Sequence, residues 1–289
     1  MRLTGFIQEG REALLALYPA PEAGNIVTRL FTARLGLTAH TPLVHPETAL
    51  SPEEEKQLRA DLARLLRGEP LQYVLGTAPF FGRDFKVSPA VLIPRPETEL
   101  LVEKALGCID ALYAERSGLR VLDLCTGSGC IAWTLLRERP SLCVTAVDLS
   151  AEALEVARTQ FPDGPSPHFV QADVLARPRI DGGPFDVMVS NPPYILEGQK
   201  PEMRRNVLDF EPEMALFVPD ADPLVFYRAI ADIALQQLAP GGAGLVEIND
   251  ALGPETARIF AEAGFSDVAL LPDLSGRDRF VQFSAPDAK

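Results

Sequence analysis

The chain has 289 residues, 47% of them apolar, which is material for a sizeable core in about two domains and excludes a disordered or disulfide-stapled chain. Its net charge is −13: residues 1–70 hold 8 basic and 9 acidic side chains, so residues 71–289 hold 19 and 31 and carry −12 of it. Affinity for phosphate backbones comes from cations that displace counterions, so this acidic body argues against nucleic acid as a direct partner. No apolar run approaches the ~20 residues of a membrane span. Glu9, Arg11 and Glu12 interrupt the start where a signal peptide would be apolar. Cys108, Cys125, Cys130 and Cys143 lack a CxxC spacing, and the three histidines lack a metal-ligand spacing. The expectation is a cytoplasmic protein with reduced thiols, no metal and no membrane partner.

Residues 1–70 read as a small helical bundle. Phe6–Tyr18 and Asn25–Leu35 show apolar spacings of three and four. A third helix starts with Ser51 as N-cap, Pro52 at the first helical position and Glu54 completing a capping box, and stops at Gly68. In residues 71–95, Tyr73–Gly76 and Phe80–Val87 read as a short hairpin linker, dense in aromatics and glycine. Ile93-Pro94-Arg95-Pro96-Glu97-Thr98 then punctuates the start of a helix through Leu106, although such a Pro-rich run also suits a plain hinge.

Residues 96–289 read as one further domain, and from Leu119 its pattern alternates. Strands are expected at Leu119–Leu124, Leu142–Val147, His168–Val170, Phe185–Ser190 and Ala243–Ile248. Helices are expected at Cys130–Glu138, Ala151–Gln160, Pro223–Leu238 and Pro254–Ala263. Alternation of this kind argues for a parallel, doubly wound α/β sheet. Val268–Leu271 and Arg279–Phe283 are too close for a crossover helix and must pair antiparallel. The result is a Rossmann-like seven-stranded sheet with a terminal antiparallel hairpin. It resembles the class I S-adenosylmethionine-dependent methyltransferase fold.

Strand Val121–Leu124 runs into Cys125-Thr126-Gly127-Ser128-Gly129, and Asp148 ends the next strand 21 residues after Gly127. That spacing fits a nicotinamide dinucleotide as well as S-adenosylmethionine. Asp123 separates the two. A carboxylate at the end of the first strand repels a pyrophosphate seated on the turn, whereas it attracts the ammonium and sulfonium of S-adenosylmethionine. Asp148 suits the two ribose hydroxyls, because a carboxylate accepts two hydrogen bonds at once. Asp173 is placed for the adenine edge, with Val174 against its face.

The fourth strand ends Ser190-Asn191-Pro192-Pro193-Tyr194. Methylating an amide or aryl amine is hard because the nitrogen lone pair is delocalised, and accepting both N–H hydrogens supports the positive charge that develops. Asn191 supplies one acceptor through its side-chain oxygen. Pro192 supplies the other through a carbonyl fixed by two successive rings. Tyr194 offers a flat face for a planar amide or base. No general base is needed before transfer. The motif leaves adenine, cytosine and glutamine open as targets.

Phe85-Lys86-Val87, Leu92–Glu99, the Asp123–Gly129 turn, Asn191–Tyr194, Phe210-Glu211-Pro212 with Ala215-Leu216, and Gly276–Arg279 together resemble the release-factor glutamine methyltransferase family over nearly the whole chain. The resemblance implies a protein-(glutamine-N5) methyltransferase that acts on the Gly-Gly-Gln glutamine of class I peptide chain release factors; a monomer is expected. It implies that Asn191, Pro192 and Pro193 bind the glutamine amide beside Tyr194, with Arg95 and Glu211 on the substrate side. Asp123, Cys125, Thr126, Gly127, Ser128, Gly129, Asp148, Asp173, Val174 and Asn191 would line the S-adenosylmethionine pocket. The helical N-terminal domain would dock the macromolecular substrate. Two departures stand out: Cys125 where the family usually has glycine, and Asn249, which is expected to matter little. The alternatives are glutamine methylation of a ribosomal protein and adenine-N6 methylation of nucleic acid; a non-catalytic binding module is disfavoured, because Asn191 and the three acids are all present.

Overall fold

A computed structural model describes residues 1–113 and 118–287. Two units emerge: Met1–Thr77 with Met203–Phe210, and Ala78–Glu202 with Glu211–Lys289. Residues 114–117, 288 and 289 of the expected 96–289 domain lie outside the described residues.

The first unit begins with α1 (Leu3–Leu14), α2 (Ala20–Leu35), α3 (Thr41–Val44), α4 (Pro52–Leu65) and α5 (Leu71–Leu75). Its core is built from one stripe per helix: Leu3, Phe6 and Leu14, then Val27, Leu30 and Phe31, then Leu58, Leu62 and Leu65. The capping box of α4 is present, with Ser51 Oγ accepting from Glu54 N at 3.3 Å and Ser51 N donating to the Glu54 carboxylate at 2.8 Å. The helix ends at Leu65, short of the expected stop at Gly68.

Residues 73–75, expected as part of a hairpin, instead complete α5, with Gly76 in a left-handed conformation at its C-cap, and tertiary contacts explain the difference. Leu71 and Val74 are buried in the helical core. Arg34 and Arg64 donate to the Val74 carbonyl at 2.7 and 3.2 Å, satisfying an acceptor that the helix end leaves open. Asp61, only 2% exposed, holds Arg34 in place at 2.7 Å.

A hairpin is present within the expected linker, but its strands are β1 (Thr77–Phe80) and β2 (Arg83–Lys86), so residues 77–80 take the place of 73–76. Helix α6 (Pro96–Tyr113) runs past its expected end at Leu106, because its buried stripe of Leu101, Val102 and Ala105 continues to Ile109. The βα units follow as β3 (Arg120–Leu124), α7 (Cys130–Glu138), β4 (Cys143–Asp148), α8 (Ala151–Arg158), β5 (His168–Gln171) and β6 (Phe185–Ser190). A small parallel pair, β7 (Ile195–Leu196) and β8 (Phe217–Val218), has no counterpart in the expected elements; α9 (Arg205–Leu208) lies between them in the chain. Then come α10 (Val225–Gln237), β9 (Leu238–Glu247), α11 (Gly253–Glu262), β10 (Ser266–Pro272) and β11 (Asp278–Ser284).

The seven-stranded sheet has the order β10-β11-β9-β6-β3-β4-β5. The five strands from β9 to β5 pair in parallel, and β11 alone runs against the rest, antiparallel to β9 on one side and to β10 on the other. Alternation sorts the side chains: Val121, Val187, Val189 and Leu245 join one core cluster, whereas Leu122, Leu124, Met188 and Val246 join the other. Both faces are therefore apolar, as a parallel sheet requires. Among the described residues no helix is long and apolar enough to cross a membrane.

Gly244 on β9 lies opposite Phe283 on β11. A Cβ at Gly244 would be built into the Phe283 ring, which also stacks on Phe260 at 4.1 Å between centroids. Gly244→Ala is expected to destabilise the protein by about 1–3 kcal/mol through overpacking. Urea denaturation checks this, and an unchanged midpoint would show that the ring has room to move.

Candidate active site

The strand order places the site. It reverses direction at β3, whose neighbours are β4 and β6, and in such sheets ligands bind beyond the carboxyl ends of the strands at the reversal. Pairing in register sets Leu124 beside Ser190, and the Ser190 hydroxyl donates to the Leu124 carbonyl at 2.8 Å. The glycine turn after β3 and Asn191 after β6 are thus neighbours. On the other side Asp148 pairs in register with Gln171, which brings Asp173 near.

A cavity opens among these strand ends. Cys125, Gly127, Asp148, Asp173, Val174, Asn191 and Pro193 all line it. Apart from Ser150, its remaining wall is apolar, with Val91, Leu92, Ala153, Pro212, Met214 and Phe226 among its residues. Asp148 accepts from Gly127 N at 2.8 Å and from Ser150 N at 2.9 Å, which fixes its carboxylate against the turn. Burial raises its pKa, against the pull of those amides. Asp173 caps a short 3-10 turn by accepting from Leu175 N at 2.8 Å through one oxygen. Two carboxylates on a mostly apolar wall suit a ligand with a hydroxyl-bearing ring and a flat heterocycle.

Asp123, Thr126, Ser128 and Gly129 were expected at the cavity and stand behind it. Asp123 is fully buried and accepts from the Thr126 hydroxyl at 2.5 Å and from Ala132 N at 3.2 Å. It braces the turn from beneath, and its charge is not presented to a ligand. Burial pushes its pKa to about 7, and its Oδ1 has no hydrogen-bond partner among the described residues. Gly129 is a packing position as well as a turn: at φ 79°, its Cβ would come within 3.0 Å of Trp133 and 3.1 Å of Ala157.

Cys125 adopts φ 61°, a left-handed conformation that a side chain occupies under strain. Burial, with Asp148 and Asp123 nearby, holds its thiol well above the ordinary cysteine pKa, so it stays protonated.

Pro192 is buried and does not line the cavity, and neither does Tyr194. Asn191 Nδ2 donates to Thr98 Oγ1 at 3.0 Å, the Thr98 hydroxyl donates to Glu247 at 2.8 Å, and the Tyr194 hydroxyl donates to the other Glu247 oxygen at 3.0 Å. Burial raises the Glu247 pKa, opposed by the two hydroxyls and by the charge of Arg279. Thr98 and Glu247 escaped the sequence reading as site residues. The available signal was a lone carboxylate closing an apolar strand, which cannot be buried without partners.

Arg95 and Glu211, expected on the substrate side, bind each other at 2.6 Å, and Glu211 also accepts from Ile93 N at 3.1 Å. Both Glu211 oxygens are engaged and neither residue lines the cavity. Their pairing staples the Val91–Leu92 wall to the Pro212–Met214 wall. Asn249 accepts from Ala251 N and donates to the Tyr194 carbonyl, both at about 3 Å, so it caps a turn and steadies the motif strand end.

Two family descriptions match: the PrmC N-terminal domain over residues 6–76 and the methyltransferase small domain over residues 104–209. A release factor glutamine methyltransferase from Bacteroides thetaiotaomicron is 40% identical over 97% of this chain and 98% of its own. One from Neisseria gonorrhoeae is 44% identical over 79% and 81%. The crystal structure of a release-factor-specific protein-(glutamine-N5) methyltransferase from Alicyclobacillus acidocaldarius is 34% identical, covers 70% of this chain and 99% of that one, and has a TM-score of 0.43.

Glycine tolerates the left-handed backbone that cysteine resists. Cys125→Gly is therefore expected to raise the melting temperature by a few degrees, as relief of about 1 kcal/mol of strain would; a lowered melting temperature would mean that the thiol's packing outweighs the strain. Asp123, with its raised pKa, keeps its proton in the folded chain at pH values where the unfolded chain has lost it. Its contribution to stability is full below the unfolded value near ~4 and is lost as pH rises towards about 7. Asp123→Asn should flatten that decline, read as a smaller drop in urea midpoint between pH 5 and pH 8 than in the wild type; an identical drop would mean that other buried carboxyls carry the dependence.

Proposed function

Because the chain belongs to the release factor glutamine methyltransferase family, we propose that it transfers a methyl group from S-adenosylmethionine to the N5 nitrogen of the Gly-Gly-Gln glutamine in class I peptide chain release factors. The observation that carries this reading is Asn191 at the lip of the cavity. Its Nδ2 is spent on Thr98, and its Oδ1 has no protein donor among the described residues.

The cavity residues fit the methyl donor in kind. Asp148 has lone pairs left for two ribose hydroxyls, Asp173 has one oxygen free for the adenine edge, and Val174 supplies an apolar face. When bound there, S-adenosylmethionine supplies an electrophilic methyl group. The chain's own work is positioning and acceptance of hydrogen bonds. Asn191 Oδ1 and the Pro192 carbonyl accept the two N–H hydrogens of the glutamine amide, which supports positive charge as it grows on nitrogen. Holding that nitrogen in line with the methyl converts a bimolecular encounter into a step within one complex. The Pro193 ring at the cavity and Tyr194 beside it limit where the planar amide lies.

In this reading the N-terminal helical unit supplies the docking surface that a macromolecular substrate needs. The protein acts in the cytoplasm, as a monomer and without binding nucleic acid directly.

The test offers labelled S-adenosylmethionine with purified release factor, ribosomal proteins and duplex DNA in parallel. Label is expected on the release factor alone and lost when its Gly-Gly-Gln glutamine is changed. Label on DNA would assign the chemistry to adenine, and label on ribosomal protein would move the glutamine elsewhere. Asn191→Ala is expected to cut turnover by at least about a hundredfold, the scale of one lost transition-state acceptor, while calorimetric cofactor binding persists. Turnover like the wild type would remove Asn191 from the mechanism.

A further inference from the structure

The Asn191 amide has two ends of nearly equal size and opposite hydrogen-bonding character. Only the oxygen serves the reaction proposed above, since an NH2 turned to the same place would meet the substrate N–H donor to donor. Rotation by half a turn about the last side-chain bond exchanges the two ends, so correct chemistry requires something that tells them apart.

Thr98 can do so, because its hydroxyl has one proton. That proton goes to Glu247 Oε2 at 2.8 Å, and a carboxylate has none to give back. The Thr98 oxygen is therefore an acceptor towards Asn191, which must present Nδ2 to it, as it does at 3.0 Å. Oδ1 is left pointing the other way. The second Glu247 oxygen is held by the Tyr194 hydroxyl at 3.0 Å, so the carboxylate cannot swing and re-pair. Thr98 is 2% exposed and Glu247 1%, and neither lines the cavity. They come from the first turn of α6 and the last residue of β9, 149 positions apart in sequence, and meet behind the motif.

We propose that Thr98 and Glu247 are positioning residues that set the Asn191 amide with its oxygen, not its nitrogen, towards the methyl-accepting amide. The relay runs in one direction, from Asn191 N–H to Thr98 and from Thr98 O–H to Glu247. It rests on the functional reading above and adds to it the reason why a buried carboxylate ends β9. Neither residue touches substrate, and both act through Asn191.

The test is a double-mutant cycle on the full chain with release factor as methyl acceptor. Thr98→Val keeps the shape and removes the relay. It should lower kcat about tenfold, the scale of one neutral hydrogen bond, with the KM for release factor and the calorimetric affinity for S-adenosylmethionine both within about twofold of the wild type. Thr98→Ser restores the hydroxyl and should restore kcat. In an Asn191→Ala background Thr98→Val should cost nothing further, because the group it orients is gone. Equal loss in both backgrounds, or failure of serine to rescue, overturns the relay and leaves Thr98 as packing. Thr98→Ala runs through the same cycle if the valine variant does not fold. A wild-type chain that methylates no release factor overturns the glutamine reading and this inference with it, whereas an active wild type with an additive cycle overturns the inference alone.

Discussion

Glu247 ends a central strand with 1% of its surface exposed, and a carboxylate taken out of water in that way costs several kcal/mol unless donors replace the water. Thr98 and Tyr194 are those donors, and Arg279 supplies opposing charge from the neighbouring strand. Satisfying one carboxylate thus draws together the start of α6, the Asn191–Tyr194 motif and β11. The same hydrogen bonds give the motif a defined orientation. Truncating one of these partners would leave the others buried and unpaired, which explains why the network involves residues so distant in sequence.

The cofactor-side turn follows a related logic. Asp123 sits beneath the turn, its carboxyl held near neutrality by burial, and accepts from two groups of the turn and of α7. Asp148 holds the outer side of the same turn through Gly127 N. One acid braces the loop from inside and the other faces the cavity, although both close adjacent parallel strands. Asp123 is fully enclosed, whereas Asp148 is part-exposed at the cavity. Cys125, strained between the two, marks the point where this chain departs from the glycine expected there.

Much of the fold was legible because its rules are local. The βα alternation, the capping box at Ser51–Glu54 and the antiparallel tail all follow from periodicity and turn chemistry. The misreadings share a cause. Tyr73–Gly76 reads as part of a hairpin because of its aromatic residue and glycine, yet Arg34 and Arg64 reach its carbonyls from other helices and residues 73–75 end α5. Helix α6 was cut short at Leu106 because the buried partner of Ile109 is in another element. For the site, Asp148, Asp173 and Asn191 were placed by their positions at strand ends. Arg95 and Glu211 were read as substrate contacts, and the structure pairs them with each other instead.

The sequence by itself determined the doubly wound sheet, the strand ends that carry acids and the Asn-Pro-Pro-Tyr chemistry, because each depends on spacing within a few residues. Only the tertiary structure decided which acids face the cavity, which are spent on bracing it, and which end of the Asn191 amide is free. The first two depend on burial and the last on groups contributed across 50 to 150 residues of chain, and a linear pattern holds no record of either.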